Sequence, residues 1–98
     1  MYIIRNIFQL KFGLYKDAKA LMDEAMSKKM FPEIKYFRLL SDFTGDSYRL
    51  IMEEGYDSLA DFEKTMAGFT PHADFQLWYS RFKELTVSSH KEILKVVM

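Results

Sequence analysis

One stretch limits the choice of fold more than any other: residues 2–12, YIIRNIFQLKF, closed by Gly13. β-Branched and aromatic residues followed by a glycine stop spell a strand. Side chains of a strand alternate between two faces. One face here shows Tyr2, Ile4, Asn6, Phe8, Leu10 and Phe12, and the other shows Ile3, Arg5, Ile7, Gln9 and Lys11. Both carry apolar residues, so the strand belongs inside a sheet covered on both sides. Asn6 is the odd residue on the drier face. A buried amide without partners costs about 1–3 kcal/mol, so Asn6 is either bonded to a backbone carbonyl in the core or lines a pocket.

The rest of the chain reads as what covers this strand. Residues 14–29 switch to helical spacing, with Ala18, Leu21, Met22, Ala25 and Met26 on one stripe and Lys16, Asp17, Lys19, Asp23, Glu24 and Lys28 facing water. Pro32 stops this helix. Residues 35–43 and 47–54 follow as two strands joined through Thr44-Gly45-Asp46, a hairpin. In the second, Tyr48, Leu50 and Met52 share one face and Arg49, Ile51 and Glu53 the other. Gly55-Tyr56-Asp57 breaks this strand, and Ser58 with Asp61 has capping-box spacing for a helix burying Leu59, Phe62, Met66 and Phe69. Gly68 weakens that helix near its end. Thr70-Pro71 is a second start signal, a cap followed by proline at the first helical position. Phe75, Trp78, Tyr79, Phe82 and Leu85 form the stripe of the helix it opens, and residues 90–97 alternate as a last strand.

Strand, helix, strand, strand, helix, strand is the order of the split βαβ, or ferredoxin-like, α+β fold, in one domain spanning residues 1–98. Both helices cover one sheet face. The other would carry Ile3, Ile7, Ile51, Ile93 and Val97 among Arg5, Gln9, Arg49, Glu53, Lys91 and Lys95, with nothing in the chain to cover it. A chain of this size buries only about 60–70% of its unfolded surface, yet 49% of its residues are hydrophobic and 16% aromatic. The excess predicts a cavity, an interface, or both. Two sheets packed face to face would hide it, so a homodimer is expected.

Charges balance at 14 basic and 14 acidic residues, with no basic stripe of the kind nucleic-acid binders show. No cysteine is present, which excludes disulfides, thiolate metal sites and a cysteine nucleophile. Apolar runs are too short for a membrane span, and the N-terminus lacks signal-peptide organisation, so a cytoplasmic protein is expected. No phosphate-binding glycine loop, dinucleotide-binding glycine pattern, metal-binding His-Glu pair or serine nucleophile elbow occurs. Glu53 and Glu54 alternate faces and cannot act together on one substrate; they read as solvated or as cross-strand partners.

With this order and the run Arg5-Asn6-Ile7-Phe8-Gln9-Leu10-Lys11-Phe12-Gly13, the chain resembles the dimeric α+β barrel superfamily. That group includes cofactor-free monooxygenases of antibiotic biosynthesis and haem-degrading monooxygenases. The family's opening strand carries a pocket-facing asparagine, matched by Asn6. Its haem-degrading branch adds a tryptophan on the later helix and, about ten residues on, a histidine that ligates iron. Phe62 stands at the tryptophan position and His72 follows ten residues later. The resemblance thus implies Asn6 and His72 as candidate catalytic residues. It implies either no cofactor, or haem with His72 as the iron ligand.

The residues themselves place a pocket between the helices and the first sheet face. Its expected lining is Asn6, Phe8, Tyr48, Leu50, Phe62, Met66, Phe69, His72, Phe75, Trp78 and Tyr79. Asn6 is its polar anchor, and the break at 68–71 sets His72 at the mouth. Small-molecule sites are mostly apolar with a few placed polar groups, and methionines adapt to apolar ligands. The same stripes also describe plain core, and His72 alone also reads as a surface residue. Three functions remain open: a binding module for a small lipophilic molecule, fatty-acid-like ligands included; a cofactor-independent or haem-linked monooxygenase acting on an apolar or aromatic substrate; and a purely structural oligomeric domain.

Overall fold

The computed structural model describes residues 1–98. Its elements run β1 (Tyr2–Leu10), α1 (Tyr15–Ser27), β2 (Tyr36–Ser41), β3 (Arg49–Tyr56), α2 (Leu59–Phe69), α3 (Ala73–Lys83) and β4 (Thr86–Lys95). The four strands form one antiparallel sheet in the order β2-β3-β1-β4, so β1 is interior. This is the ferredoxin-like βαββαβ arrangement, with the second helical region divided in two. No helix is long and apolar enough to cross a membrane.

Directly opposed residues of an antiparallel pair share a face, so the register sorts the sheet. Asn6 faces Met52, Phe8 faces Leu50 and Ile4 faces Glu54 on the helix side; Arg5 faces Glu53 and Ile7 faces Ile51 on the open side. The main core lies on the helix side, where Leu10 and Leu50 meet Ala18, Leu21, Met22 and Ala25 of α1 and Trp78 and Phe82 of α3. The Trp78 indole Nε1 donates to the Leu21 carbonyl at 2.7 Å and its ring stacks on Phe82, 5.2 Å between centroids. That pins α3 to α1.

Several local expectations change. β4 begins at Thr86, not residue 90, and pairs His90 with Ile7 and Lys91 with Asn6. Lys91, Ile93 and Lys95 therefore belong to the helix side, while His90, Glu92 and Leu94 take the open side; an offset of one residue inverts every side chain. Gly55 does not end β3, which continues through Tyr56. A Cβ at Gly55 would sit 2.8 Å from Tyr36 Cβ, so the glycine admits Tyr36 across the strand pair. β3 starts only at Arg49, because Ser47 (φ 67°) and Tyr48 (φ 55°) are left-handed. Asp42 closes that loop by accepting from Arg49 Nε at 2.9 Å.

Ser58 caps α2 by accepting from the Asp61 amide at 3.1 Å. The second start signal is displaced by two residues. Thr70 closes α2, its hydroxyl donating to the Met66 carbonyl at 2.8 Å, and α3 opens at Ala73 with His72 as its cap.

Candidate functional site

A helix over a sheet leaves space when neither surface can fill it. α2 has no fully buried residue, although Phe62, Met66 and Phe69 are half-buried on one flank. Beneath it, the helix-side residues of β4 that reach the cavity are Ser89 and Lys91, which pair with Phe8 and Asn6. Serine is short, and a lysine covers surface with its stem while its ammonium keeps contact with water. The result is a cavity of about 390 Å³ lined by 21 residues, 13 of them hydrophobic, within the range that holds small ligands.

β1 supplies Asn6 and Phe8 to its walls, α2 supplies Phe62, Met66 and Phe69, and α3 supplies Phe75, Trp78 and Tyr79. These were all expected there. Three others lie elsewhere. Leu50 is packed in the main core beside Leu10. Tyr48, turned out of β3 by its left-handed backbone, lies against Phe12 with ring centroids 5.0 Å apart. His72 is exposed at the start of α3 and does not line the cavity; it borders an adjoining depression that shares Phe31, Pro32, Phe69 and Phe75 with it.

The loop between α1 and β2 brings Phe31, Pro32 and Ile34 to the cavity, and Phe37 enters from β2. Phe31 is the hub of the aromatic wall, edge-on to Trp78 at 5.3 Å and to Phe69 at 6.2 Å. Such a loop carries no periodicity to mark its side chains as lining. The apolar pair Phe31 and Ile34 around a proline is the one signal available.

The polar end of the cavity is built from three strands. Glu54 of β3 lines it while only 4% exposed. Its Oε2 accepts from the buried Tyr56 hydroxyl at 2.7 Å and its Oε1 from Asn6 Nδ2 at 3.4 Å. Lys91 of β4 holds its ammonium 5.4 Å from the centre of the Phe62 ring. Burial pushes the Glu54 carboxyl above the ordinary carboxylate range, against the Tyr56 hydrogen bond and the Lys91 charge, which pull it down. Burial also pushes the Tyr56 phenol up, reinforced by Glu54, so Tyr56 stays a donor. Sequence parity could have found Glu54, two residues beyond Met52 on the dry face. Glu54 is not solvated.

Glu53 points the other way, onto the open face, and is 1% exposed. Its Oε2 accepts from Arg5 Nε at 2.8 Å, and its Oε1 from Arg38 Nε at 2.7 Å and the Tyr36 hydroxyl at 3.2 Å. Glu92 adds a longer ion pair to Arg5, 3.5 Å. Burial pushes the Glu53 carboxyl up, but the Arg38 and Arg5 guanidiniums outweigh it and hold it below the ordinary range. The expectation of a cross-strand partner holds for Glu53, without the solvation.

The donor set does not fit haem iron. His72 lies outside the cavity, and His90, which borders it, is paired with Ile7 and so directs its side chain to the open face. No group of three histidine, aspartate or glutamate side chains is placed to hold a metal ion.

No protein-family model matches the sequence, and comparison with curated proteins finds no relative. Solved structures match over nearly the whole chain. A NIPSNAP family protein from Agrobacterium tumefaciens superposes with a TM-score of 0.87 at 20% identity, covering 98% of this chain and 85% of that one. A putative antibiotic biosynthesis monooxygenase from Nitrosomonas europaea gives 0.74 at 16% identity, covering 100% of both. Another from Deinococcus radiodurans gives 0.71 at 11%, covering 100% of this chain and 94% of that one. The neighbours are thus NIPSNAP and antibiotic biosynthesis monooxygenase-like proteins, and the chain has the fold of the dimeric α+β barrel superfamily. At these identities the likeness establishes the fold.

Proposed function

We propose that the protein binds a small lipophilic molecule in the cavity under α2 and works as a homodimer joined through its open sheet faces. One observation carries the ligand reading: an apolar cavity of about 390 Å³ whose only deeply buried polar side chain is Glu54. Aromatic walls fit a flat or flexible apolar ligand, and the Glu54–Asn6 end fixes the orientation of one with a polar group. Aromatic molecules and fatty-acid-like ones with an uncharged polar end both meet that description. Dimerisation is supported by the half-buried Ile3, Ile7, Leu40 and Ile51 on a face no helix covers. The test is mass spectrometry of organic extracts from the purified protein, with Trp78 fluorescence followed as extracted compounds are returned. A co-purifying small molecule that alters Trp78 emission supports the reading. Clean extracts with no response to apolar ligands would leave a structural oligomer.

A second reading, a cofactor-independent monooxygenase acting on an aromatic substrate, is favoured by the full-length likeness to putative antibiotic biosynthesis monooxygenases and by Asn6 lying in the cavity wall. Oxygen uptake with polycyclic phenols measures it directly. Haem has no place in this reading, because His72 does not line the cavity and the side chain of His90 belongs to the open face.

A further inference from the structure

We propose that Glu54 is a proton-transfer group, and that the cavity takes a neutral ketone carrying an aromatic ring, or a related carbonyl compound, with an acidic C–H beside the carbonyl. The proposal rests on the cavity being a ligand site. Its motive is a carboxyl that is more than nine-tenths buried, in the wall of an apolar cavity, with its two oxygens treated differently. Oε2 is fixed by the Tyr56 hydroxyl at 2.7 Å, which sets the orientation of the group. Oε1 has only the long 3.4 Å bond from Asn6 Nδ2 and keeps a lone pair for a ligand. The second N–H of Asn6 is a donor for a carbonyl oxygen bound beside it.

Charge selects the ligand class. A cationic ligand would meet Lys91, whose ammonium already occupies the face of Phe62. An anionic one would meet Glu54. A neutral carbonyl compound avoids both and becomes negative only as it loses its proton, when Asn6 and Lys91 can stabilise the charge. In the step, Glu54 Oε1 takes the proton from the α-carbon and the C–H electron pair becomes the carbon–carbon double bond of an enolate. The carbonyl oxygen takes up the charge. If the proton held on Glu54 is replaced from solvent before it is returned to the α-carbon, the outcome is exchange; if it is delivered to a carbon further along a conjugated system, the outcome is isomerisation. Nothing is oxidised or reduced. Burial, which raises the basicity of the carboxylate, suits it to this work near neutral pH. Tyr56 is a positioning residue, touching the base and not the ligand.

The probe is 2-tetralone in deuterium oxide, with loss of its C1 and C3 proton signals followed by NMR; its hydrocarbon analogue tetralin reports binding alone by saturation transfer. Wild-type protein should accelerate exchange on the order of 100-fold over buffer. Glu54→Gln should fall to the buffer rate while still binding tetralin. Glu54→Asp, which withdraws the carboxyl by one methylene, should retain the fold and lose most of the acceleration. Tyr56→Phe should shift the pH profile of exchange and leave tetralin binding intact. Tetralin binding with exchange at the buffer rate would overturn proton transfer and leave the ligand reading standing, as would full activity in Glu54→Gln. If neither compound binds, the ligand reading fails, and this one with it.

Discussion

Glu53 and Glu54 are adjacent in β3, both almost fully buried, and chemically opposite. Glu53 lies among two guanidiniums and a phenol on the open face of the sheet and is held charged. Glu54 lies among aromatic rings on the helix side, with one phenol and one distant amide, and is pushed toward the neutral form. The difference comes from strand alternation alone, since neighbouring residues of one strand meet unrelated surroundings. Burial does not decide whether an acid is structural or available. What decides is how many donors accompany it, and here the under-supplied carboxyl is the one beside the cavity.

The largest expected effect tests what the Glu53 side of the sheet is for. Ile7 lies beside the Glu53 network, paired with Ile51 and His90. Ile7→Glu would place one unpaired charge per protomer in the proposed interface. Dimer dissociation should rise roughly 1000-fold, about 4 kcal/mol, read by sedimentation across a concentration series. A wild-type protein that sediments as a monomer at micromolar concentration would remove the dimer.

Next comes the network itself. Glu53→Ala leaves Arg5 and Arg38 facing each other without their shared anion and should cost about 3 kcal/mol in denaturant unfolding, the low end for a broken buried pair because both arginines keep contact with water. Glu54→Gln should change stability by less than about 1.5 kcal/mol, since a neutral amide can still accept from Tyr56. Equal losses at the two positions would mean that the two environments do not differ as described.

The pH dependence of these changes separates the pair more finely. Glu53 has a folded pKa below its unfolded value, so its stabilisation is present above the ordinary carboxylate range and is lost as pH falls through the folded pKa. Glu54 has a raised folded pKa. Its contribution is complete below the ordinary range and is lost as pH rises through the folded value. Unfolding free energies of wild type and Glu54→Gln should therefore be closest at acid pH, with the variant gaining on wild type toward pH 8. A difference that is flat with pH would show that Glu54 titrates as an ordinary carboxylate.

The same two residues show where the sequence is legible. β1 announces itself, because its alternation is long and both of its faces are apolar. The α1 stripe does too, and with the strand order these carry the fold. The aromatic stripes of α2 and α3 locate the cavity walls. β4 is harder to read: TVSSHKEILK has no clean alternation, and its face assignment depends on pairing with β1 that periodicity does not contain. Lys91 consequently enters the site only through the register. Tyr48 fits a strand by type and leaves it because the preceding turn needs left-handed residues. His72 sits at a helix start, and only the three-dimensional path of the Thr70–Pro71 turn shows that its side chain stays in solvent.

The smallest expected effect concerns Asn6, the residue by which the sequence first points to a site. Its amide has two possible roles, holding Glu54 or holding a ligand, and the 3.4 Å bond to Oε1 is too long to be a strong constraint on the carboxyl. Removing it should therefore matter more to a bound carbonyl than to the fold. Asn6→Ala should weaken 2-tetralone binding by about 1 kcal/mol, one hydrogen bond's worth, and leave tetralin binding unchanged because the hydrocarbon has no oxygen to lose. Thermal stability should move little, since Glu54 keeps its shorter bond from Tyr56. If both ligands weaken together, Asn6 shapes the cavity without reading the polar group. If unfolding is strongly affected and neither ligand is, Asn6 is a core amide, and the polar end of the cavity reduces to Glu54 and Lys91.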